Sequence, residues 1–475
     1  MRKTLAPTIA LLLAGCAVGP HYQPPATPPA AAAPFLGSVS PAVASTPVQA
    51  GWWRLYDDPV LDGLIADALS ANTDIRVAVA RLERARAMLR AARADRLPQT
   101  SLALGGGDQR VSETQAIPGQ DREAPYVDGG LSIGYEVDLF GRVKRGIEAA
   151  RGDAAATQAD ADAVRIAVVA DTTRAYVDAA SAAERLAVAQ RSVTLLDQSL
   201  GVTTRRYEAG RAQKLDVMRI ATLREQAAAR VPEIAADRQA ALFRLATLTG
   251  RTPADLPMAA GTRVSAPTID QPIPVGDGAA LLARRPDVRA AERRLAADTA
   301  RIGVATADLY PRIALGGSIG QSSGGLGNLF TGGALRFLTG RLISWNFPNS
   351  SAARAKIAAA KADSQASLAR FDGSVLRALE ETETALNRYA RLLDGRQRLI
   401  AARDQADAAV RVVRARQREG QVDFLDVLDA ERTAATAETD VAKADAQVAD
   451  AQVDLFRALG GGWQADAGNT RTAAR

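Results

Sequence analysis

The sequence predicts an α+β membrane protein, duplicated within the chain, whose strands close a barrel only in a trimer. Three observations predict it. Segments of the first half recur in the second at a fixed spacing. Near the start of each half, apolar residues alternate strictly with small or polar ones, as membrane β-strands require. Most of the remainder is free of proline and rich in alanine, leucine and arginine, the composition of long helices.

The opening, MRKTLAPTIALLLAGC, has a short positive start and an apolar run from Ala6 to Leu13, too short to cross a bilayer. That is a signal-peptide layout. It ends Leu13-Ala14-Gly15-Cys16, which resembles the bacterial lipobox, and Cys16 is the single cysteine of the 475 residues. The expectation is cleavage before Cys16, acylation of that residue, and, because Ala17 is not aspartate, sorting to the outer membrane, where several acyl chains hold better than one. No disulfide can form elsewhere on the chain. His21 is the single histidine, which excludes histidine- or cysteine-based zinc and haem sites and a Ser-His-Asp triad in the body. No cofactor is expected, and no enzyme.

Proline marks the organisation. Eight prolines in 18–50 forbid helix and suggest an extended tether, and a second cluster at 251–278 separates the halves. The boundaries read 1–15 signal, 16–50 tether, 51–250 first repeat, 251–278 linker, 279–460 second repeat and 461–475 tail. TDIRVAVARLERARA from Thr73 matches PDVRAAERRLAADTA from Pro286, RLPQTSLALGGG from Arg96 matches LYPRIALGGSIG from Leu309, and LFRLATLTG at 242 matches LFRALGGGW at 455, all at an offset of 213. YEAGRAQKLDVM and QREGQVDFLDVL match at 210.

Each repeat starts with helix, which runs through Arg96 in the first. Strands follow at about 97–138 and 309–347. Leu131, Ile133, Tyr135 and Val137 point one way, with Ser132, Gly134, Glu136 and Asp138 between them; Leu102 and Leu104, Ile313 and Leu315, and Ile343, Trp345 and Phe347 repeat the pattern. A helix then runs from about 141 to 207, on the order of 100 Å at 1.5 Å per residue. Leu379, Leu386, Leu393 and Ile400 recur every seven residues, and Leu186, Val193, Leu196 and Leu200 keep a similar seam, so these helices supercoil against neighbours. Four strands cannot close a barrel, and an open edge is not tolerated in lipid. Two chains give eight strands around a filled interior; three give twelve, wide enough for a conduit. The formal charge of +6 falls to +4 once Arg2 and Lys3 leave. Its basic residues are mostly arginines interspersed with acids along helices, which suits solvated surface and lipid headgroups rather than nucleic acid.

CAVGPHY, GWWRLYDDPVLDGLIADALSANTDIRVAVARLERARA, LLARRPDVRAAERRLAADTARIGVATADLYPRIALGGSIG and GQVDFLDVLDAERT resemble the TolC/NodT family of outer-membrane efflux lipoproteins, from Cys16 to Leu459. The resemblance implies a trimer with a twelve-stranded barrel and an α-helical barrel across the periplasm. It also implies partners: a periplasmic adaptor and an inner-membrane pump of the resistance–nodulation–division type. A type I protein-secretion channel would share the fold, and an envelope-spanning coiled-coil lipoprotein would share the lipobox and heptads without needing four strands. In the family two turns form the periplasmic tips, here Ala209-Gly210-Arg211 and Glu419-Gly420-Gln421, where the adaptor is expected. The positions matching Asp426 and Asp429 line the entrance. Asp216, Asp426 and Asp429 follow the turns, with Arg211, Arg414, Arg416 and Arg418 close by. Two readings stand for these aspartates: helix starts favoured by the dipole, or a gate in which Asp216 pairs with a tip arginine while Asp426 and Asp429 form a constriction.

Overall fold

The computed structural model describes residues 17–461 apart from 27, 49, 50, 117, 120, 270, 325, 326, 328–333, 346, 348, 349 and 423. The expected signal segment, Cys16 and most of the tail lie outside the described residues. In chain order the elements are β1 (Val43–Ala44), α1 (Pro59–Ala71), α2 (Thr73–Ala94), β2 (Gln99–Arg110), β3 (Glu123–Val137), α3 (Arg142–Glu208), α4 (Lys214–Leu248), β4 (Ile273–Pro274), α5 (Gly278–Arg284), α6 (Pro286–Ala307), β5 (Arg312–Ser323), β6 (Leu335–Ser344), α7 (Ser351–Arg418) and α8 (Phe424–Ala458). Helices α3 and α7 run 67 and 68 residues. Among the described residues no helix is long and apolar enough to cross a membrane.

The duplication is visible element by element. Helices α2 and α6 begin 213 residues apart, as do β2 and β5; α4 and α8 begin and end 210 apart. The LFR match at 213 is therefore out of register by three residues. The structural partner of Leu455 is Leu245, and both are fully buried, whereas Phe243 is exposed and Phe456 is buried. A three-residue slip is close to one helical turn and keeps much of the same face, so the sequence match could form without structural equivalence.

All four long helices stop in the same way. The N–H of Gly210 donates to the Tyr207 carbonyl and that of Arg211 to Arg206; the same pair of bonds recurs at Gly250/Arg251, Gly420/Gln421 and Gly460/Gly461. This is the Schellman motif, which satisfies carbonyls at the helix end and needs a residue at positive φ. All four glycines have φ between 67° and 74°.

The described residues divide into two compact units. The first gathers the described residues of Met1–Pro25 with Arg81–Gln158 and Ala290–Asp372, and holds the four-stranded antiparallel sheet β2-β3-β5-β6. Beside the sheet, α3 and α6 approach so closely that a Cβ on Gly152 would lie 2.9 Å from that of Ala297. The opening described residues lie along this pair. The N–H of Val18 donates to the Phe140 carbonyl, Arg145 donates to the carbonyls of Val18 and Gly19, and the Tyr22 hydroxyl donates to Glu292. Gly19 packs on Gly303, where any Cβ would collide with backbone.

The second unit gathers the described residues of Ala26–Ala80, Ala159–Arg289 and Gly373–Arg475 around an apolar core. Trp52 of the GWW segment stacks on Phe456 with ring centroids 4.5 Å apart. Asp58 caps α1 through the N–H groups of Val60 and Leu61 and accepts from the Tyr176 hydroxyl at 2.8 Å and from Arg263 at 2.6 Å. Burial alone would raise this carboxyl, but those donors outweigh it and hold it below the ordinary range. The segment expected as an extended tether is seated, and it forms two short 3-10 helices, Pro29–Ala32 and Leu36–Val39. Phe35 is buried in the core, the N–H groups of Leu36 and Gly37 donate to Glu383, and β1 pairs in parallel with β4 of the linker. The linker is likewise part of the core, burying Ile269, Ile273 and Val275.

Candidate functional site

The sheet presents two chemically distinct faces. Residues directly opposite in an antiparallel ladder share a face. One row runs Leu102–Leu131–Ile319–Phe337 across all four strands; the next is Thr100–Ile133–Gly317–Thr339, and Val137–Ile313–Ile343 lies further along. The other face carries Ser101–Ser132–Ser318–Leu338, Ala103–Gly130–Gly320–Arg336 and Gln99–Gly134–Gly316–Gly340, so it is mostly small and polar, with Leu338 and Leu342 of β6 as apolar exceptions. The apolar rows stand bare: Leu102 is 80% exposed, Phe337 76% and Ile319 53%. A face of leucine, isoleucine and phenylalanine with nothing over it is stable only against hydrocarbon or another apolar surface. Among the described residues, strands β2 and β6 each pair on one side only, leaving a row of backbone donors and acceptors at each edge.

After α3 and α7, Ala209-Gly210-Arg211 and Glu419-Gly420-Gln421 form exposed turns. Asp216 is the third residue of α4, and its carboxylate accepts the N–H of Gln213 at 3.1 Å, while the Gln213 side chain bonds back in a capping box. Within the chain this oxygen serves the helix start, and among the described residues Asp216 makes no ion pair with a tip arginine. Arg211 makes no ion pair among the described residues. Asp429 is exposed and bonds Arg432 on the next turn at 2.8 Å, and Asp426 is exposed on the first turn of α8. The two repeats differ here, because Asp429 falls where the first repeat has Arg219.

Arg414 pairs with Glu431 at 2.8 Å, not with a gate aspartate, and Ser199 of α3 donates to the same carboxylate at 3.0 Å. Glu431, Arg432 and Ser199 were missed by sequence reasoning. In an antiparallel helical hairpin, residues nearly equidistant from the turn face each other, and Asp197 and Arg224, bonded at 2.9 Å, and Arg185 and Asp237, at 3.1 Å, keep to that rule about Gly210. Arg414 and Glu431 do not, lying on either side of Gly420 at unequal distances along the chain, so nothing in the sequence marked Glu431. Each exposed pair is worth little alone, but together they fix the register of both hairpins and so the position of the tips.

A sequence profile of the family described as Outer membrane efflux protein matches residues 64–251 and 279–461, one segment in each repeat. The Outer membrane protein OprJ of Pseudomonas aeruginosa is 33% identical over 458 residues, covering 96% of this chain and 95% of that protein. Nodulation protein T of Rhizobium leguminosarum bv. trifolii is 30% identical over 471 residues, covering 96% and 97%. The solved structure of the outer-membrane channel OprN superposes with a TM-score of 0.88 at 36% identity, covering 95% of this chain and all of that one.

Proposed function

The chain belongs to the outer membrane efflux protein family, and on that premise we propose that it is the exit duct of a tripartite efflux system. It is an outer-membrane efflux channel. In our reading three copies pair β2 of one with β6 of the next into a twelve-stranded barrel, and the helices form an α-helical barrel in the periplasm. Cys16 carries the lipid anchor. Small molecules such as drugs pass through without chemistry, driven by an inner-membrane pump of the resistance–nodulation–division type and delivered through a periplasmic adaptor at the tips 209–211 and 419–421. Asp426 and Asp429 ring the entrance.

The observation that carries the reading is the sheet: largely apolar on one face, mostly small and polar on the other, and, among the described residues, unpaired at both edges. Lipid demands closure, and repetition of four strands supplies it. Native mass measurement of the detergent-solubilised protein, followed by planar-bilayer recording, tests it. A trimer with stable single-channel conductance is expected; a monomer without conductance overturns the reading. Cys16→Ser should abolish incorporation of labelled palmitate while leaving conductance intact when a cleavable signal replaces the native one.

A further inference from the structure

We propose that the arginines at the end of α2 bind the phosphates of anionic phospholipids in the membrane leaflet nearest the helices. The inference rests on the reading above that the sheet spans a membrane. Residues 84–98 hold five arginines against one aspartate, Asp95. Arg90 and Arg93 stand three apart, on one face of the helix, and Arg96 follows in the turn; all three are exposed, and among the described residues none makes an ion pair. Within the sheet-bearing unit, Arg142, Arg145, Arg293 and Arg301 each pair with an acidic side chain, so this cluster differs from them in charge balance and not merely in exposure.

Its level is fixed by two features of the same unit. The Gln99 side chain donates to the carbonyls of Ala94, at 2.8 Å, and Leu97, at 3.2 Å, fastening the end of α2 to the first residue of β2. Gln99 pairs with Gly134, near the helical end of the sheet. That end also carries the aromatic residues. Trp345 stacks on Phe347 at 4.8 Å and donates its indole N–H to the Leu309 carbonyl, and Tyr310 stacks on Phe140 at 4.4 Å. Aromatic girdles flank the apolar band of a membrane barrel at the headgroups. Arginines one to two helical turns beyond that end therefore stand at phosphate depth, where the planar guanidinium can bond phosphate oxygens bidentately. Met88 and Leu97, both exposed, supply apolar contact beside them.

The test titrates the detergent-solubilised full-length protein with phosphatidylglycerol or phosphatidylcholine and counts bound lipid by native mass spectrometry. The parent should favour phosphatidylglycerol by at least about tenfold, given the attraction expected per arginine near an anionic surface. Arg90→Gln/Arg93→Gln/Arg96→Gln should lose that preference, and the corresponding triple lysine variant should keep most of it. Both should retain the parent's oligomeric mass and conductance. An unchanged preference in the glutamine variant overturns the proposal. So does loss of oligomeric mass in that variant with lipid binding per chain unchanged, which would assign the arginines to contact between copies. Failure of the parent itself to float with liposomes would overturn the membrane-spanning reading and this proposal with it.

Discussion

Asp450 sits on α8 in a cavity of about 530 Å³ lined also by Asp178, Ser181, Arg185, Asp237, Arg244 and Lys443. Its Oδ1 and the Ser181 hydroxyl are buried with no partner among the described residues. Burial, and then the neighbouring Asp178, push the Asp450 carboxyl up to about 6; Asp454 adds to the rise, while Arg174 and Arg388 oppose it. Because the folded value lies above the unfolded one, the folded state binds more protons between about pH 4 and 6. The contribution of Asp450 to stability is therefore complete below that window and is lost as pH rises through it. Asp450→Asn removes the cost of the buried charge. It should raise the thermal stability of the solubilised protein at pH 7.5 by about 1–2 kcal/mol, discounting for partial exposure, with a much smaller gain at pH 5. An equal gain at both pH values would mean that the effect is packing rather than ionisation.

At the level of elements, the four Schellman glycines do one conformational job in two surroundings. A Cβ on Gly210 would meet nothing within 4 Å, whereas one on Gly250 would lie 2.7 Å from the Ala71 carbonyl oxygen. Gly210→Ala should therefore cost only the strain of positive φ, about 1 kcal/mol, and Gly250→Ala clearly more; equal losses in denaturant unfolding would contradict this account. The sheet gives a second contrast. Arginine at Ile133, on the apolar face, should cost more than arginine at the adjacent Ser132, by about 2–4 kcal/mol if that row lies near the membrane midplane and by less towards the interface. Similar refolding midpoints for the two variants in lipid vesicles would mean that the apolar face does not meet hydrocarbon. The strands were legible because alternation is written into neighbouring residues, and Gly210 and Gly420 because each precedes Leu-Asp-Val. The seated N-terminal segment was not. Its prolines say only what it cannot be, while the burial of Phe35 and the packing of Gly19 on Gly303 depend on residues hundreds of positions away. The LFR repeat misled for the converse reason, since local identity says nothing about register.

In the proposed trimer the two repeats would give nearly sixfold symmetry were they identical at the tips, and they are not. The first repeat offers Asp216, whose oxygen is committed to a capping box, and Arg219; the second offers Asp426 and the exposed Asp429. The second repeat therefore contributes two aspartates per chain to the entrance against one in the first, where Arg219 stands in place of the second. Most of the negative field then comes from the second repeat, as rings of three charges at each position. Such a ring favours cations. Asp429 also bonds Arg432, so removing it both subtracts a negative charge and frees a positive one. Asp426→Ala with Asp429→Ala should then weaken cation selectivity, read as a shift of reversal potential toward the anion side in a salt gradient across a planar bilayer. Asp216→Ala should behave differently. Loss of the capping box should cost on the order of 0.5–2 kcal/mol and loosen the start of α4 while selectivity shifts less than in the double variant. If the double variant keeps the parent's reversal potential, the entrance charges are helix starts and nothing more; if Asp216→Ala alone shifts it as far as the double variant does, the cap bond is not where that carboxylate acts in the trimer.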